Sequence, residues 1–126
     1  MPHVVLHFPM DLDEIQAQYG RWHFSSDDCH VSFMELFRAH EGEALLVETY
    51  LKEEPVTQRL GLAIRQRERG NYVINLHELG FPRPTIGVQL AIGQLAKWLL
   101  SLHEEARILH HNLQSEALEL EGSHAA

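Results

Sequence analysis

Five residues in the middle of the chain are candidates for binding an anionic ligand, because a β-strand would place them on one surface. Between positions 59 and 67, Leu60, Leu62 and Ile64 alternate with a second set of residues that holds the arginines, so a strand there would turn the arginines away from its core. Arginine binds phosphate groups and aromatic rings stack on bases, which are the contacts of single-stranded nucleic-acid binders. The predicted binding residues are Tyr50, Arg59, Arg65, Arg67 and His77, with Arg69 and Arg83 at the rim.

The same surface has two other interpretations. In the first, it is a solvated sheet face whose arginines pair with Glu48 and other carboxylates across strands. In the second, it binds a protein partner. The formal net charge of −8 weakens the nucleic-acid interpretation, since binding to phosphates depends on Lys and Arg. Nucleic acid is therefore a disfavoured partner that stays open.

Residues suited to catalysis or metal binding do not form a recognisable motif. Cys29 and His30 are adjacent, but Asp27 and Asp28 beside them would raise the thiol pKa and disfavour a nucleophile. Histidines on the C-terminal segment lack the HExxH spacing of a zinc site. No phosphate-binding loop or nucleophile elbow occurs. We therefore predict no catalytic residue, no metal and no cofactor, and we favour a protein that is not an enzyme.

Composition limits the class of protein further. The 126 residues, 44% of them hydrophobic, suffice for one domain with one core. No apolar run reaches the ~18 residues of a membrane span, and the N-terminus lacks a signal-peptide pattern. The single cysteine, Cys29, excludes an intrachain disulfide. These features predict a cytoplasmic protein that does not bind membranes.

Strand and turn patterns predict an antiparallel meander. After a short strand over 3–8 and a helix capped by Asp11, residues 20–29 indicate a loop or an irregular strand. Four further strands are predicted from alternating apolar residues, and turns over 40–43 and 68–71 indicate hairpins between them. These strands span about 30–38, 44–52, 57–67 and 72–77.

The C-terminal segment carries an apolar seam with heptad spacing. Thr85 is a suitable N-cap after the connector 80–84, and apolar residues then recur at intervals of four and three. A helix over 86–113 would be roughly 42 Å long, which exceeds the diameter of a domain of this size. An overhanging seam favours pairing with the same helix of a second copy, and the alternatives are packing within the chain and binding of a different partner protein. The predicted interface residues are Leu95, Leu99, Leu102, Ala106, Leu109 and Leu113.

Together these patterns predict an α+β fold, in which a four-stranded antiparallel meander, preceded by a short strand and helix, is covered by one long C-terminal helix. Residues 1–113 would form the domain, and 114–126 a helix extension and a disordered tail. The favoured function is a non-enzymatic acidic interaction module, an adaptor, regulator or chaperone-like factor, that homodimerises through this helix. The alternatives are a binder of single-stranded nucleic acid or another anionic ligand, and an enzyme with a dispersed site around His77.

Overall fold

Antiparallel strands make up most of the structure, a computed structural model that describes residues 1–40, 43–68, 70–77, 85–114, 117–118 and 123–125. Seven strands form a sheet that curls into a half-barrel, and a short eighth strand extends one edge, giving the order β7-β1-β6-β5-β4-β3-β2-β8. The elements in chain order are β1 (His3–His7), α1 (Leu12–Gln18), β2 (Trp22–Ser26), β3 (Cys29–Arg38), β4 (Ala44–Glu53), β5 (Val56–Glu68), β6 (Asn71–Leu76), α2 (Ile86–Leu102), β7 (Arg107–His111) and β8 (Ser123–Ala125).

Alternation along β4, β5 and β6 gives the sheet two unlike faces. The inner face packs against the helices and is buried, with Leu45, Val47, Leu51, Leu60, Leu62, Ile64, Tyr72, Ile74 and Leu76 as its central side chains. The outer face carries the intervening residues, which the strand register places side by side: Leu46, Glu48, Tyr50, Lys52, Arg59, Gly61, Ala63, Arg65, Asn75 and His77. The predicted alternation of these strands is confirmed.

Both helices begin at the caps that the sequence indicates. The Asp11 carboxylate accepts a hydrogen bond from the backbone N–H of Glu14, and the Glu14 carboxylate accepts one from the backbone N–H of Asp11. This reciprocal pair is a capping box. The Thr85 side chain accepts from the backbone N–H of Val88 and so caps α2. The helix α2 lies on β1, β4 and β6 and seals the inner face.

The predicted long C-terminal helix is wrong. The helix α2 has 17 residues and ends at Leu102, and the chain then turns at His103–Ala106 and forms strand β7, antiparallel to β1. The segment after Ala106 forms a strand rather than a helix because β1 would otherwise leave a row of unpaired backbone groups at the sheet edge. Tertiary hydrogen bonding here overrides good helix propensity and an unbroken heptad pattern.

The predicted four-stranded meander covered by one long helix is wrong, because the sheet has more strands than predicted and the helix is shorter. Two segments without strong alternation join the sheet: β2 pairs with β3, and β7 pairs with β1. The strand β8 pairs with β2, in a segment where the sequence indicated no strand. The protein is therefore a curled antiparallel sheet with two short helices rather than an α+β meander.

Some predictions fall on residues that the structure leaves undescribed. The hairpin turns over 40–43 and 68–71 and the connector 80–84 lie wholly or partly outside the described residues. Gly70 belongs to the second turn and has φ +81°, a conformation that favours glycine. Among the described residues, neither helix has the length and apolar character needed to cross a bilayer.

Candidate functional site

The outer face of β4, β5 and β6 is the surface on which the structure gathers most of the predicted binding residues. Tyr50 lies directly opposite Arg59, and His77 lies opposite Gly61, to whose carbonyl oxygen it donates a backbone hydrogen bond of 2.8 Å. Arg65 lies two positions beyond Ala63 on the same side of β5. Tyr50 and both arginines of this face are exposed, whereas Ala63 between them is fully buried.

Arg59 is held at the centre of this face by two contacts. Its guanidinium forms an ion pair with the Glu48 carboxylate, and its Cζ atom lies 6.0 Å from the centroid of the Tyr50 ring, within reach of a cation–π contact. The hydrogen bond to Glu48 raises the pKa of Arg59. Because both Arg59 and Tyr50 are exposed, an approaching anion can reach this cation without a rearrangement of the core.

Arg65 and His77 form a second pair on the same face. The Nη2 atom of Arg65 donates to Nδ1 of His77 over 3.1 Å. A guanidinium is a donor only, so this contact requires an unprotonated Nδ1 and puts the ring proton on Nε2. The pair thus offers a cation and, beside it, a ring N–H donor.

A hollow of about 310 Å³ opens between these two pairs. Its apolar wall is formed by Phe37 and Leu46, and its polar rim by Glu48, Arg59 and His77. Gly61 lies in the row Glu48–Gly61–His77 across three strands, where its missing side chain leaves the space open. The volume is at the lower end of the ~300–1,000 Å³ range of small-molecule sites.

Phe37 and its place in the hollow were missed by sequence reasoning. Unbroken alternation from Val31 and Phe33 would turn Phe37 inward, but the pairing shifts between Phe33 and Leu36, and a bulge of this kind reverses the faces of the residues that follow. Phe37 is therefore 53% exposed. The available signal was Glu35, a charged residue at a position that unbroken alternation would bury.

Most carboxylates of the described residues lie away from this hollow, whereas Glu48 lines it. The others lie on α1, on the turn between β2 and β3, on β3, at the ends of β4 and β5 and after α2: Asp11, Asp13, Glu14, Asp27, Asp28, Glu35, Glu43, Glu53, Glu54, Glu68, Glu104 and Glu105. The central outer face carries Lys52, Arg59 and Arg65. Lys52 pairs with Glu54 and Arg59 with Glu48, so carboxylates balance part of the positive charge of this face.

Arg67 lies farther along β5, where the pairing with β6 shifts between Gln66 and Glu68. Its side chain is exposed, but it does not line the hollow. Arg69 and Arg83, predicted at the rim, lie outside the described residues. Of the five predicted binding residues, four thus lie together around the hollow or at its edge, and Arg67 lies beyond them.

The six predicted interface residues do not form one continuous surface. Leu95, Leu99 and Leu113 are buried in the core, and Leu102 and Ala106 are partly buried against it. Leu109 lies on β7 instead of on a helix and is 44% exposed. The heptad spacing thus serves packing within the chain up to Leu102, and the seam ends there.

Cys29 and His30 are adjacent on β3, so their side chains lie on opposite faces of the sheet. The Nδ1 atom of His30 lies 3.0 Å from the Ser25 hydroxyl. Burial, and to a lesser degree the Glu53 carboxylate, raises the pKa of the Cys29 thiol to about 11. A thiol in this state is a poor nucleophile at neutral pH.

A second, smaller hollow of about 210 Å³ lies beside Cys29 and the start of α2. The Glu53 carboxylate already occupies the helix terminus there: it accepts from the Thr85 hydroxyl and, over 3.2 Å, from the backbone N–H of Gly87. The remaining wall includes Asp27 and Asp28. Because its lining is acidic and its donors are used, this hollow suits an anionic ligand poorly.

The histidines of the C-terminal segment are dispersed. His103 ends α2 and accepts from the backbone N–H of Glu105, while His110 and His111 lie on β7. The rings of His3 and His110 meet edge to face at 5.9 Å. Among the residues that the structure describes, no three His, Cys, Asp or Glu side chains are grouped to hold a metal ion.

Comparison with known proteins gives a distant likeness to an RNA-modifying enzyme. A tRNA (guanine-N(7)-)-methyltransferase of Deinococcus radiodurans is 26% identical over 104 residues, which cover 79% of this chain and 30% of that protein. The chain therefore spans less than a third of the length of this curated relative. No family model matches the sequence, and no solved structure matches it either.

Proposed function

We propose that this chain is a non-enzymatic module that binds single-stranded RNA across the outer face of its sheet. The observation that supports this best is the surface around the hollow, where Arg59 and Arg65 lie near the exposed rings of Phe37 and Tyr50 and the partly exposed Gly61. Their Cα atoms are six residues apart on one strand, or about 20 Å. That span suits several phosphates of a polymer better than one small anion. Cationic grooves with aromatic platforms are the common means of binding single strands.

Two further observations support a binding module over a catalytic one. Every strand pairing in the described residues is antiparallel, so the crevice at the carboxyl ends of parallel strands that α/β enzymes use is not available there. The Deinococcus radiodurans relative is named for an activity on tRNA, and this chain aligns with 30% of it. A part of an RNA-modifying enzyme that holds RNA is consistent with the outer face described here. In this proposal the module works in the cytoplasm, where a free Cys29 thiol stays reduced.

The test is the salt dependence of RNA binding by paired variants. Fluorescence anisotropy of a labelled random-sequence RNA of about 12 nucleotides would be measured over a range of NaCl concentrations, starting near ~50 mM. Arg59→Gln with Arg65→Gln should lower the affinity and reduce the slope of log K against log salt by about 1.4, because each lost phosphate contact on a single strand contributes ~0.7.

The matched control removes two cations from the helix side of the molecule. Arg38 pairs with Asp13 of α1 and Lys97 belongs to α2, so Arg38→Gln with Lys97→Gln changes the net charge equally. The control should keep the wild-type slope. Equal slopes in both double variants, or no binding at the lowest salt concentration, would contradict the proposal.

A second candidate function is association with a protein, favoured by the strand edge at β7. The strand ends the sheet order, and Leu109 on it is 44% exposed. A second copy or another protein could add a strand there. Light scattering on size-exclusion chromatography at pH 7.5 and pH 6 would test it. A dimer that Leu109→Lys converts to a monomer would support this candidate, and a wild-type monomer at both pH values would oppose self-association.

A further inference from the structure

We infer that the hollow above Gly61 is a subsite for one unstacked nucleobase of the bound strand. The inference rests on the proposed function and deepens it, since phosphate binding alone needs no hollow. In this inference the outer face recognises bases as well as phosphates. Gly61 is then the residue that determines whether a base can enter the hollow.

Gly61 has no conformational reason to be glycine. Its φ is not in the left-handed region, since Gly70 is the glycine with positive φ among the described residues. A Cβ atom at position 61 would meet only the Cβ atom of His77, at an ordinary 3.5 Å. Glycine inside a strand weakens the sheet, and it often marks a place where a ligand approaches the backbone closely. The open space itself is therefore what glycine provides here.

The walls of the hollow match the chemistry of a base. Phe37 is 53% exposed and offers a ring for stacking, next to the apolar Leu46. Opposite them, His77 carries its proton on Nε2 as long as Nδ1 accepts from Arg65, and this N–H can donate to a ring nitrogen or carbonyl oxygen. The Glu48 carboxylate can accept from an exocyclic amine.

The charges around the hollow match the backbone that carries the base. Arg59 lines the rim of the hollow on one side. On the other side, His77 lines the rim and Arg65 is hydrogen-bonded to His77. A phosphate on each side of the inserted base would therefore meet a guanidinium. This complementarity favours a nucleotide over an apolar peptide side chain, because a nucleotide gives Arg65 an anionic partner and gives Arg59 a second one beside Glu48.

The experiment compares RNA with a strand that keeps the phosphates and lacks the bases. The two probes are the random-sequence RNA of about 12 nucleotides and an abasic ribose-phosphate oligomer of the same length and label. Wild-type protein should bind RNA about tenfold more tightly than the abasic strand, the effect of one stacked base. Gly61→Val should lower the RNA affinity to that of the abasic strand and leave abasic binding unchanged.

Two further variants make this result specific. A Cβ at Gly20 meets no atom within 4 Å, so Gly20→Ala is the control glycine substitution and should bind both probes as wild type does. Phe37→Ala removes the stacking ring from an exposed position and should lower RNA affinity about five- to tenfold, again without effect on the abasic strand. It provides the test by itself if Gly61→Val fails to fold.

The outcomes separate the two proposals. Equal affinity of the wild type for both probes, with Gly61→Val and Phe37→Ala unchanged, would overturn the base subsite and leave phosphate binding on the outer face intact. Absence of binding to either probe would overturn both the subsite and the RNA-binding function.

Discussion

The two faces of β4, β5 and β6 belong to the same strands but differ in what their residues do. On the inner face, Leu62 and Ile64 are fully buried in the core, and their exclusion from water stabilises the fold. On the outer face, Gly61 lines the open hollow, Ala63 is fully buried and Arg65 is exposed. The comparison shows that alternate residues of one strand meet different constraints: packing constrains the inner positions, and in the proposed function RNA binding constrains the outer ones.

The largest expected effect comes from removing the C-terminal segment, which pairs with the edge of β1 and adds side chains to the core. A chain ending at Ser101 loses β7, exposes the edge of β1, and loses the buried side chains of Leu113 and Ala117. We expect loss of cooperative unfolding in urea, followed by circular dichroism. A chain ending at Leu118 removes β8 and should still unfold cooperatively. Retention of a folded, cooperative protein after truncation at Ser101 would contradict the role given to β7.

Two substitutions on β5, one on each face, should show how differently the two faces contribute to the stability of the fold. Leu62→Ala leaves a cavity in the core and should lower the free energy of unfolding by about 2–5 kcal/mol. Thr57→Ala, at an exposed position of the same strand, should change it by no more than about 0.5 kcal/mol. Urea denaturation of the two variants measures both values. Similar losses would mean that the two faces are packed alike.

Two glycines sharpen the same comparison. A Cβ at Gly93 of α2 would lie 2.7 Å from the Ala117 carbonyl oxygen, whereas one at Gly61 meets nothing closer than 3.5 Å. Gly93→Ala should therefore destabilise the protein by about 1–3 kcal/mol despite the helix propensity of alanine. Gly61→Ala should stabilise it slightly, by about 0.4–1 kcal/mol. Thermal unfolding gives both shifts, and a stabilising Gly93→Ala would disprove the close packing of Ala117.

The smallest expected effect is alkaline destabilisation through groups buried on the inner side. Burial raises the pKa of Cys29 from 9.0 to about 11, and that of Tyr19 and Tyr72 from 10.0 to about 12. Because the folded state binds these protons more tightly than the unfolded state does, the stability is fully present below pH 9 and is lost as pH rises toward 11–12. Cys29 is half-buried, and screening by solvent reduces its contribution to the free energy of unfolding to about 1 kcal/mol.

Cys29→Ser removes the thiol titration at nearly constant volume. Its free energy of unfolding, measured in urea at pH 8 and pH 10.5, should fall less between the two pH values than that of the wild type. An equal fall in both proteins would show that the thiol does not contribute.

The sequence predicted the elements that carry a clear local signal. The alternation over 44–52 and 57–67 corresponds to β4 (Ala44–Glu53) and β5 (Val56–Glu68), and the caps at Asp11 and Thr85 are where expected. The outer-face residues followed from the same alternation. These features depend on a residue's near neighbours, so one sequence is enough to predict them.

The features that the sequence did not predict depend on distant partners. The segment Arg107–His111 becomes a strand because β1 offers an unpaired edge about one hundred residues away in sequence, and nothing within the segment indicates this partner. Phe37 turns outward because of a bulge opposite Glu48. Gly93 leaves room for the Ala117 backbone, which lies beyond β7 in the chain.

The most direct test of the division between the faces is an NMR titration of the 15N-labelled full chain with the random-sequence RNA. If the outer face binds RNA, the amide signals that shift should belong to the residues around the hollow, including Phe37, Tyr50, Gly61 and His77, and the signals of α2 should stay in place. Shifts centred on α2 or on the β7 edge, or no shifts at all, would contradict the account.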